Sequence, residues 1–367
     1  MRRRYRWLMA LLGVALTAAT LGGTASADDQ FSLAYARQAA GQRVIYSYPG
    51  LTPPASLLDR IRAGEAAGVI FFGENVSSLS QISGVVRQLR DASAQSPNPN
   101  PLLLMTDQEG GMIRRLPGEP VLSHKDIGLA ADSAAAATNA GRGAGQNLAG
   151  VGMNVNLAPV LDVFHAPGDL MDQYERSFSS TASVVGDLGA DYVTAQQAQG
   201  VAATVKHFPG LGKANAADNT DTRPLTLTTP LSTLRGVDEA PYQKSIAAGA
   251  KLVMLSWAVY SALDASRPAG FSPTVVQQEL RSRNGFTGVT ITDALEAGAL
   301  TSYGSTGNRA VLAAQAGDDL ILASARDVSQ GDQAATALAN ALADGTLDSS
   351  TFGAALTRVN ALRASLN

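Results

Sequence analysis

Cysteine is absent from this chain of 367 residues, and histidine occurs only three times, at His124, His165 and His207. The absence of cysteine excludes disulfide bonds and thiolate metal sites. The three histidines lie too far apart in the sequence to indicate an imidazole metal site. We therefore expect a protein that works without a metal ion or another cofactor.

Positive charge is also scarce beyond the N-terminus. The formal net charge is −3, and residues 1–27 contain four arginines and no acidic residue, so their removal would change that charge to −7. A mildly acidic chain without basic clusters argues against nucleic acid or an anionic membrane surface as a partner.

Residues 1–27 have the pattern of an export signal peptide. A group of arginines precedes an apolar stretch at 7–23, and Ala25-Ser26-Ala27 forms a small-residue cleavage site. A membrane anchor is the alternative, but the stretch is short and no second apolar segment follows it. We expect cleavage after Ala27 and a secreted mature protein, residues 28–367, without a stable membrane span.

Eight short apolar segments, rich in β-branched residues, recur along the chain. Each is bounded by Gly, Pro or Asp, which is typical of strands buried on both faces. They are Arg43–Tyr48, Gly68–Phe72, Leu102–Thr106, Met153–Leu157, Ala202–Lys206, Leu252–Ser256, Gly288–Thr292 and Asp319–Leu322.

Stretches with helical character separate these segments. Apolar residues follow the i, i+3, i+4 pattern in 57–61 and 82–89, and Ala-rich sequence fills 130–150 and 185–199. Eight buried strands alternating with helices predict parallel crossovers and a TIM-type (β/α)8 barrel in a single domain. An open doubly wound sheet is the alternative, and the lack of a GxGxxG motif after the first segment weakens it.

Charged residues collect where the predicted strands end. They are Asp107, Glu109 and Arg115 after the third strand, Asp162 after the fourth, Lys206 and His207 at the fifth, and Asp293 after the seventh. Each residue alone could be a helix cap or a structural pair. Together, at the C-terminal end of a barrel, they predict an active site. Their positions leave phosphate, sugar and aldol chemistry open.

Seven segments carry these residues in a distinctive order. They are "AGVIFFGENV" (67–76), "TDQEGGMIRRLP" (106–117), "NLAPVLDV" (156–163), "ERSF" (175–178), "VKHFPGLG" (205–212), "ITDALEAGAL" (291–300) and "AAQAGDDLIL" (313–322). In this order they resemble glycoside hydrolase family 3, specifically its single-domain β-N-acetylhexosaminidases. "DQEGG", "KHFPG" and "TDAL" together are very specific. The resemblance implies an N-terminal-type barrel domain over residues 28–367, in agreement with the strand count.

The family's retaining mechanism implies a role for each matching residue. Asp293 matches the nucleophile, which attacks the anomeric carbon to form a glycosyl-enzyme ester. The sugar-binding residues match Asp107 and Arg115, which hydrogen-bond hydroxyls, and Arg176, Lys206 and His207, which fix the rest of the ring. Retaining hydrolysis also needs an acid that later acts as a base, about 5 Å from the nucleophile.

The loop after "KHFPG" departs from the family pattern. In many relatives this loop reads "HG…DSH", and its Asp–His pair supplies the acid/base. Here Leu211 stands in place of the first histidine, and "DNTD" (218–221) stands in place of "DSH". We predict Asp221 as the acid/base, because it ends where the pattern places its histidine, with Asp218 as the alternative. Both aspartates could instead be ordinary residues of a solvated turn.

The resemblance implies an exported β-N-acetylhexosaminidase that removes terminal N-acetylglucosamine from cell-wall fragments or chitin-type oligosaccharides. A β-glucosidase-type exo-glycosidase is one alternative, although two-domain glucosidases place their acid/base on a second domain, for which this chain is short. A catalytically silent sugar-binding protein is the other, suggested by the missing loop histidine. The presence of Asp293 argues against it, because a binding module needs no nucleophile.

Overall fold

Eight short strands alternate with helices in the computed structural model, which describes residues 35–98 and 100–366. They are β1 (Val44–Tyr46), β2 (Gly68–Phe71), β3 (Leu103–Thr106), β4 (Val155–Asn156), β5 (Ala202–Phe208), β6 (Leu252–Leu255), β7 (Val289–Thr292) and β8 (Ile321–Leu322). Neighbouring strands pair in parallel in the order β7-β6-β5-β4-β3-β2-β1-β8. A parallel bridge between Ile291 and Leu320 joins the two ends of the sheet. The predicted TIM-type (β/α)8 barrel is confirmed.

A helix follows each strand. The helices are α1 (Ala55–Arg62), α2 (Leu79–Ser93), α3 (Ser133–Val151), α4 (Ala182–Gln197), α5 (Ala240–Ala247), α6 (Thr274–Arg283), α7 (Thr306–Ala316), α8 (Val328–Ala343) and α9 (Ser349–Ala364). Shorter helical turns lie at 35–41, Gly73–Asn75, His124–Leu129, Leu170–Gln173, Leu231–Thr233, Leu234–Asp238, Ala269–Phe271 and Gly298–Tyr303. The predicted apolar spacing buries Leu57, Leu58 and Ile61 on one face of α1. Side-chain N-caps start α2 at Ser78 and α3 at Asp132.

Apolar side chains fill the barrel and close its N-terminal end. Ile70, Met105 and Met254 belong to the same buried cluster as Val359 and Leu362 of α9. The guanidinium of Arg363 on α9 donates to the carbonyl of Pro101, just before β3. Because α9 covers this end, the C-terminal ends of the strands are left for chemistry.

All eight strands differ by one residue or more from the predicted segments, and the fourth and fifth are the most informative. The predicted strand Met153–Leu157 shrinks to β4, because the Asn154 side chain takes over backbone pairing: its Oδ1 accepts from the Leu104 N–H at 2.8 Å and its Nδ2 donates to the Leu102 carbonyl at 2.9 Å. The fifth strand is longer than predicted and continues to Phe208. Lys206 and His207 therefore belong to β5 itself.

Small strands outside the barrel were not predicted. Gln108–Gly110 pairs with Ile113–Arg114 in a hairpin that follows β3. Thr226–Leu227, Val259–Tyr260 and Asp264–Pro268 form a small sheet beside the barrel. Both features hold loops at the C-terminal end of the barrel.

The predicted signal peptide, residues 1–27, lies outside the described residues. Among the helices that the structure does describe, none is long and apolar enough to cross a lipid bilayer.

Candidate active site

A cavity of about 390 Å³ opens at the C-terminal end of the barrel. This volume lies within the usual range of small-molecule sites. Seven of the eight predicted site residues line it: Asp107, Arg115, Arg176, Lys206, His207, Asp221 and Asp293. The eighth, Asp218, lies outside the cavity lining. The fold therefore brings residues from distant parts of the chain to one opening.

One side of this cavity is a cluster of four charged residues, Asp107, Glu109, Arg176 and Lys206, which we call the ion-pair wall. Arg176 holds Glu109 with two parallel hydrogen bonds, from Nε and Nη2, each of 2.9 Å. The ammonium of Lys206 lies 2.6 Å from Oδ1 of Asp107 and 2.8 Å from Oε1 of Glu109. The Lys206 and Glu109 side chains are only 2% and 1% exposed. These contacts fix the wall before any substrate arrives.

The charges of the wall stabilise one another. Burial alone would raise the pKa of Glu109, but the charges of Arg176 and Lys206 hold that pKa well below its usual range. Burial alone would lower the pKa of Lys206, and the carboxylates of Asp107 and Glu109 outweigh this and raise it. Glu109 and Lys206 therefore keep their charges at neutral pH.

Arg115 is positioned by the buried side chain of Gln108. Oε1 of Gln108 accepts from the backbone N–H groups of Arg115 and Leu116, at 3.0 Å each. Its Nε2 donates to the carbonyls of Leu116 and Glu119. The Nε of Arg115 is buried and has no hydrogen-bond partner among the described residues. The Arg115 side chain itself lines the cavity.

His207 is oriented by Asp162, which is fully buried in the connection that follows β4. The imidazole Nδ1 lies 2.7 Å from Oδ2 of Asp162. Oδ1 of the same carboxylate accepts from the backbone N–H of Leu211 at 2.6 Å. With Nδ1 engaged, Nε2 is the ring nitrogen left for a ligand.

Asp293 follows β7 directly and is half-buried in the cavity wall. Its Oδ1 accepts from the backbone N–H of Ala294 at 2.8 Å. Burial raises the pKa of Asp293, the nearby His207 lowers it, and the carboxylate of Asp221 raises it again. The net shift is upward, and the carboxyl groups of Asp293 and Asp221 are close enough to influence each other.

The opposite side of the cavity carries residues 211–223, which we call the acidic loop. Asp221 is exposed on this loop and lines the cavity. Asp218 instead accepts from Arg223 at 2.6 Å and from the Asn215 side chain at 3.0 Å. Partial burial would raise the pKa of Asp218, but these hydrogen bonds and the charge of Arg223 lower it. The structure thus separates the two aspartates: Asp221 faces the cavity and Asp218 braces the loop.

The strand-end positions of Glu109 and Asp162 place both at the predicted active site, but the family resemblance implies no role for either. Glu109 lies two positions after Asp107, and this spacing in extended backbone puts both side chains on one face. That spacing could have indicated that Glu109 shares the wall with Asp107. The unpredicted polar residues of the lining are Tyr174, Asn219, Thr220, Glu296, Ser324 and Arg326. Nothing in their local sequence distinguishes them from surface residues.

A carboxylate at a strand end, a second carboxyl on a facing loop and a charged, hydroxyl-binding wall are the groups that break a glycosidic bond. The fold and the cavity thus define a glycoside hydrolase. Residues 50–362 match the sequence model of the glycosyl hydrolase family 3 N-terminal domain, and the chain belongs to this family. The enzyme acts on O-glycosyl bonds.

Known relatives agree with this assignment. The chain is 45% identical over 329 residues to a protein of Arthroderma benhamiae described as an uncharacterized secreted glycosyl hydrolase, covering 89% of this chain and 93% of that protein. A β-N-acetylglucosaminidase structure from a Paenibacillus species aligns with a TM-score of 0.84 and 33% identity, covering 90% of this chain and 62% of that one. A β-N-acetylhexosaminidase from Beutenbergia cavernae aligns with a TM-score of 0.80 and 32% identity, covering 89% and 98%.

Proposed function

We propose that this protein is an exported, retaining exo-glycosidase that removes terminal β-N-acetylglucosamine from cell-wall or chitin-type oligosaccharides. The observation that carries the proposal is the presence of Asp293 and Asp221 on the same cavity as the ion-pair wall. Two similar structures, from Paenibacillus and Beutenbergia, are described as acting on N-acetylhexosamine glycosides, which supports the choice of sugar.

In the proposed reaction Asp293 attacks the anomeric carbon and forms a glycosyl-enzyme ester. Asp221 donates a proton to the departing oxygen and then accepts one from the water that hydrolyses the ester. Asp218 supports the loop through Arg223 and does not take part in proton transfer.

The sugar ring is held by the opposite side of the cavity. Asp107 and Lys206 offer an acceptor and a donor that are already fixed by each other, at 2.6 Å. The Nε2 atom of His207 and the guanidinium of Arg115, which both line the cavity, remain for a hydroxyl or the acetamido group. Fixed donors lower the ordering cost of binding, which favours sugar recognition in water.

Export is proposed from residues 1–27, with residues 28–367 as the catalytic barrel domain. The relative from Arthroderma benhamiae is described as secreted, which supports this part of the proposal. N-terminal sequencing of the protein collected from the culture medium should begin at Asp28. A mature protein that retains residues 1–27 and stays with the membrane fraction would contradict it.

The decisive test is the turnover of aryl β-N-acetylglucosaminide against aryl β-glucoside by the purified protein. We expect turnover of the N-acetylglucosaminide to dominate and the first-formed sugar to keep the β configuration in proton NMR. Preference for the glucoside would favour the β-glucosidase alternative. Sugar binding without turnover of either substrate would favour a silent binding protein, for which the missing loop histidine is the supporting observation.

A further inference from the structure

The acidic loop is attached to the barrel at two different places. Its first half is held by the connection that follows β4. The backbone N–H of Leu211 donates to Asp162, and the carbonyl of Ala214 accepts from the backbone N–H of Leu170 at 2.8 Å. Its second half is held by the segment after β7, where the Gly298 N–H donates to the Asp221 carbonyl at 2.8 Å and the Ala299 N–H donates to the Thr220 carbonyl at 2.9 Å.

The hydrogen bonds donated by Gly298 and Ala299 join the backbone that carries Asp221 to the segment that follows Asp293. Asp293 starts the short connection after β7, and Gly298 begins the helical turn Gly298–Tyr303 at the end of that connection. The segment that starts at the nucleophile therefore also supports the backbone of Asp221. These contacts hold the backbone of Asp221 against the segment that follows Asp293, and the Asp221 side chain takes no part in them.

Gly298 allows this attachment because it has no side chain. A Cβ atom at position 298 would lie 2.4 Å from both the carbonyl carbon and the carbonyl oxygen of Thr222, and 2.9 Å from its Cα. All three are backbone atoms, so no side-chain rotation could relieve the overlap. Any larger residue at 298 would push the segment that carries Asp221 away from the β7 connection.

We propose that Gly298 is a positioning residue for the acid/base. The proposal rests on the proposed function, because it takes Asp221 as the acid/base. Glycine at 298 lets the acidic loop dock against the nucleophile's own segment, which places the Asp221 carboxyl within proton-transfer reach of the glycosidic oxygen. Proton transfer requires approach to about 3 Å, and a misplacement of about 1 Å can cost 10²-fold in rate.

The test compares Gly298→Ala with Asp221→Asn on two substrates. A disaccharide of N-acetylglucosamine has a leaving oxygen that needs a proton, whereas a dinitrophenyl glycoside does not. We expect Gly298→Ala to lower kcat/KM on the disaccharide by about 10²-fold or more and to change it only a few-fold on the dinitrophenyl glycoside.

Azide gives a second readout that a general loss of stability would not produce. Without a placed base, the glycosyl-enzyme from the dinitrophenyl substrate accumulates. Azide attacks its anomeric carbon, the bond to the Asp293 oxygen breaks, and glycosyl azide leaves with the carboxylate regenerated. We expect azide to raise kcat of Gly298→Ala and of Asp221→Asn but not that of the wild type.

The double variant Asp221→Asn/Gly298→Ala separates positioning from a merely structural effect. If Gly298 acts through Asp221, the double variant should be no slower on the disaccharide than Asp221→Asn alone. A further loss similar to that of Gly298→Ala alone would overturn the proposal.

The matched control is Gly307→Ala, where a Cβ would lie 2.8 Å from the Cβ of Ala337 in the packing of α7 against α8. This variant should lose stability without a leaving-group effect or azide rescue. If Gly298→Ala also showed neither a leaving-group effect nor azide rescue, the proposal would be overturned. If Asp221→Asn itself lacks the leaving-group effect, the proposed role of Asp221 has failed and this inference fails with it.

A second variant covers the case in which Gly298→Ala does not fold. Ala299→Pro removes the N–H that donates to the Thr220 carbonyl, in the first turn of a helix, where proline is tolerated. We expect the same substrate dependence with a smaller loss. Uniform slowing on both substrates, in a protein that still binds N-acetylglucosamine, would overturn the proposal.

Discussion

The ion-pair wall and the acidic loop face the same cavity but are held by different forces. The wall consists of buried side chains paired charge to charge, such as Lys206 between Asp107 and Glu109. The loop is held mainly through its backbone, and the carboxylate of Asp221 makes no hydrogen bond to another described residue. Sugar recognition needs donors and acceptors that do not move. An ion pair such as that of Asp218 with Arg223 stabilises the ionised carboxylate and so opposes the protonation that a general acid needs.

The largest expected effect comes from Asp293, which belongs to neither the ion-pair wall nor the acidic loop. Asp293→Ala should lower kcat by a factor on the order of 10⁴ or more, because it removes the proposed covalent nucleophile. Sugar binding should survive, since the wall is unchanged, and isothermal titration with N-acetylglucosamine measures it. A loss of only a few-fold in kcat would show that another group is the nucleophile.

The next effect distinguishes the two aspartates of the loop. Asp221→Asn should lower kcat/KM on the disaccharide by about 10²–10⁴-fold, which is the usual contribution of a general acid. Asp218→Asn should cost much less, because Asp218 lies outside the cavity lining. Steady-state rates on disaccharide and dinitrophenyl substrates measure both. If Asp218→Asn gave the leaving-group dependence and Asp221→Asn did not, the roles would be exchanged.

Much of this site could be predicted from the sequence, because the barrel fold brings the C-terminal ends of all its strands together. Once eight strands are recognised, residues that follow them, such as Asp107 and Asp293, must meet at one end. The partner of Glu109 could not be predicted, because Arg176 is 67 positions away and reaches it through loop packing. The close approach of Gly298 to the backbone of Thr222 could not be predicted from the sequence either, because it depends on how two loops cross.

The acid/base shows the same limit in a different way. The family pattern located the loop and its spacing favoured Asp221, but the missing histidine left Asp218 as an alternative. The structure separates them through Arg223, which pairs with Asp218. Local sequence predicts which strand a residue follows, and it does not predict which neighbour a loop side chain turns towards.

The third prediction compares the stability of the two sides. Glu109→Gln should destabilise the protein by about 3–5 kcal/mol, because Arg176 and Lys206 lose their shared buried counter-charge. Asp218→Asn should cost about 0–1 kcal/mol, because its partner Arg223 is half-exposed to solvent. Urea denaturation followed by circular dichroism compares the two free energies of unfolding. Equal losses would mean that the wall is no more tightly built than the loop.

The smallest expected effect concerns the pH dependence of Asp293. The nucleophile must be ionised, so kcat/KM is lost as the pH falls through the pKa of Asp293, which burial raises. The carboxylate of Asp221 contributes to this upward shift. Asp221→Asn removes that negative charge, so the pKa of Asp293 should fall and the acidic limb should move to lower pH.

This shift is measured with the dinitrophenyl glycoside, because its first step does not depend on the acid that Asp221→Asn removes. The matched control is Asp218→Asn, which removes the same charge from a neighbouring position of the loop outside the cavity lining and should leave the acidic limb in place. A limb that stays fixed in Asp221→Asn would mean that the acid carries its proton, and so no charge, while Asp293 titrates. A limb that moves to higher pH would contradict the predicted repulsion between the two carboxylates.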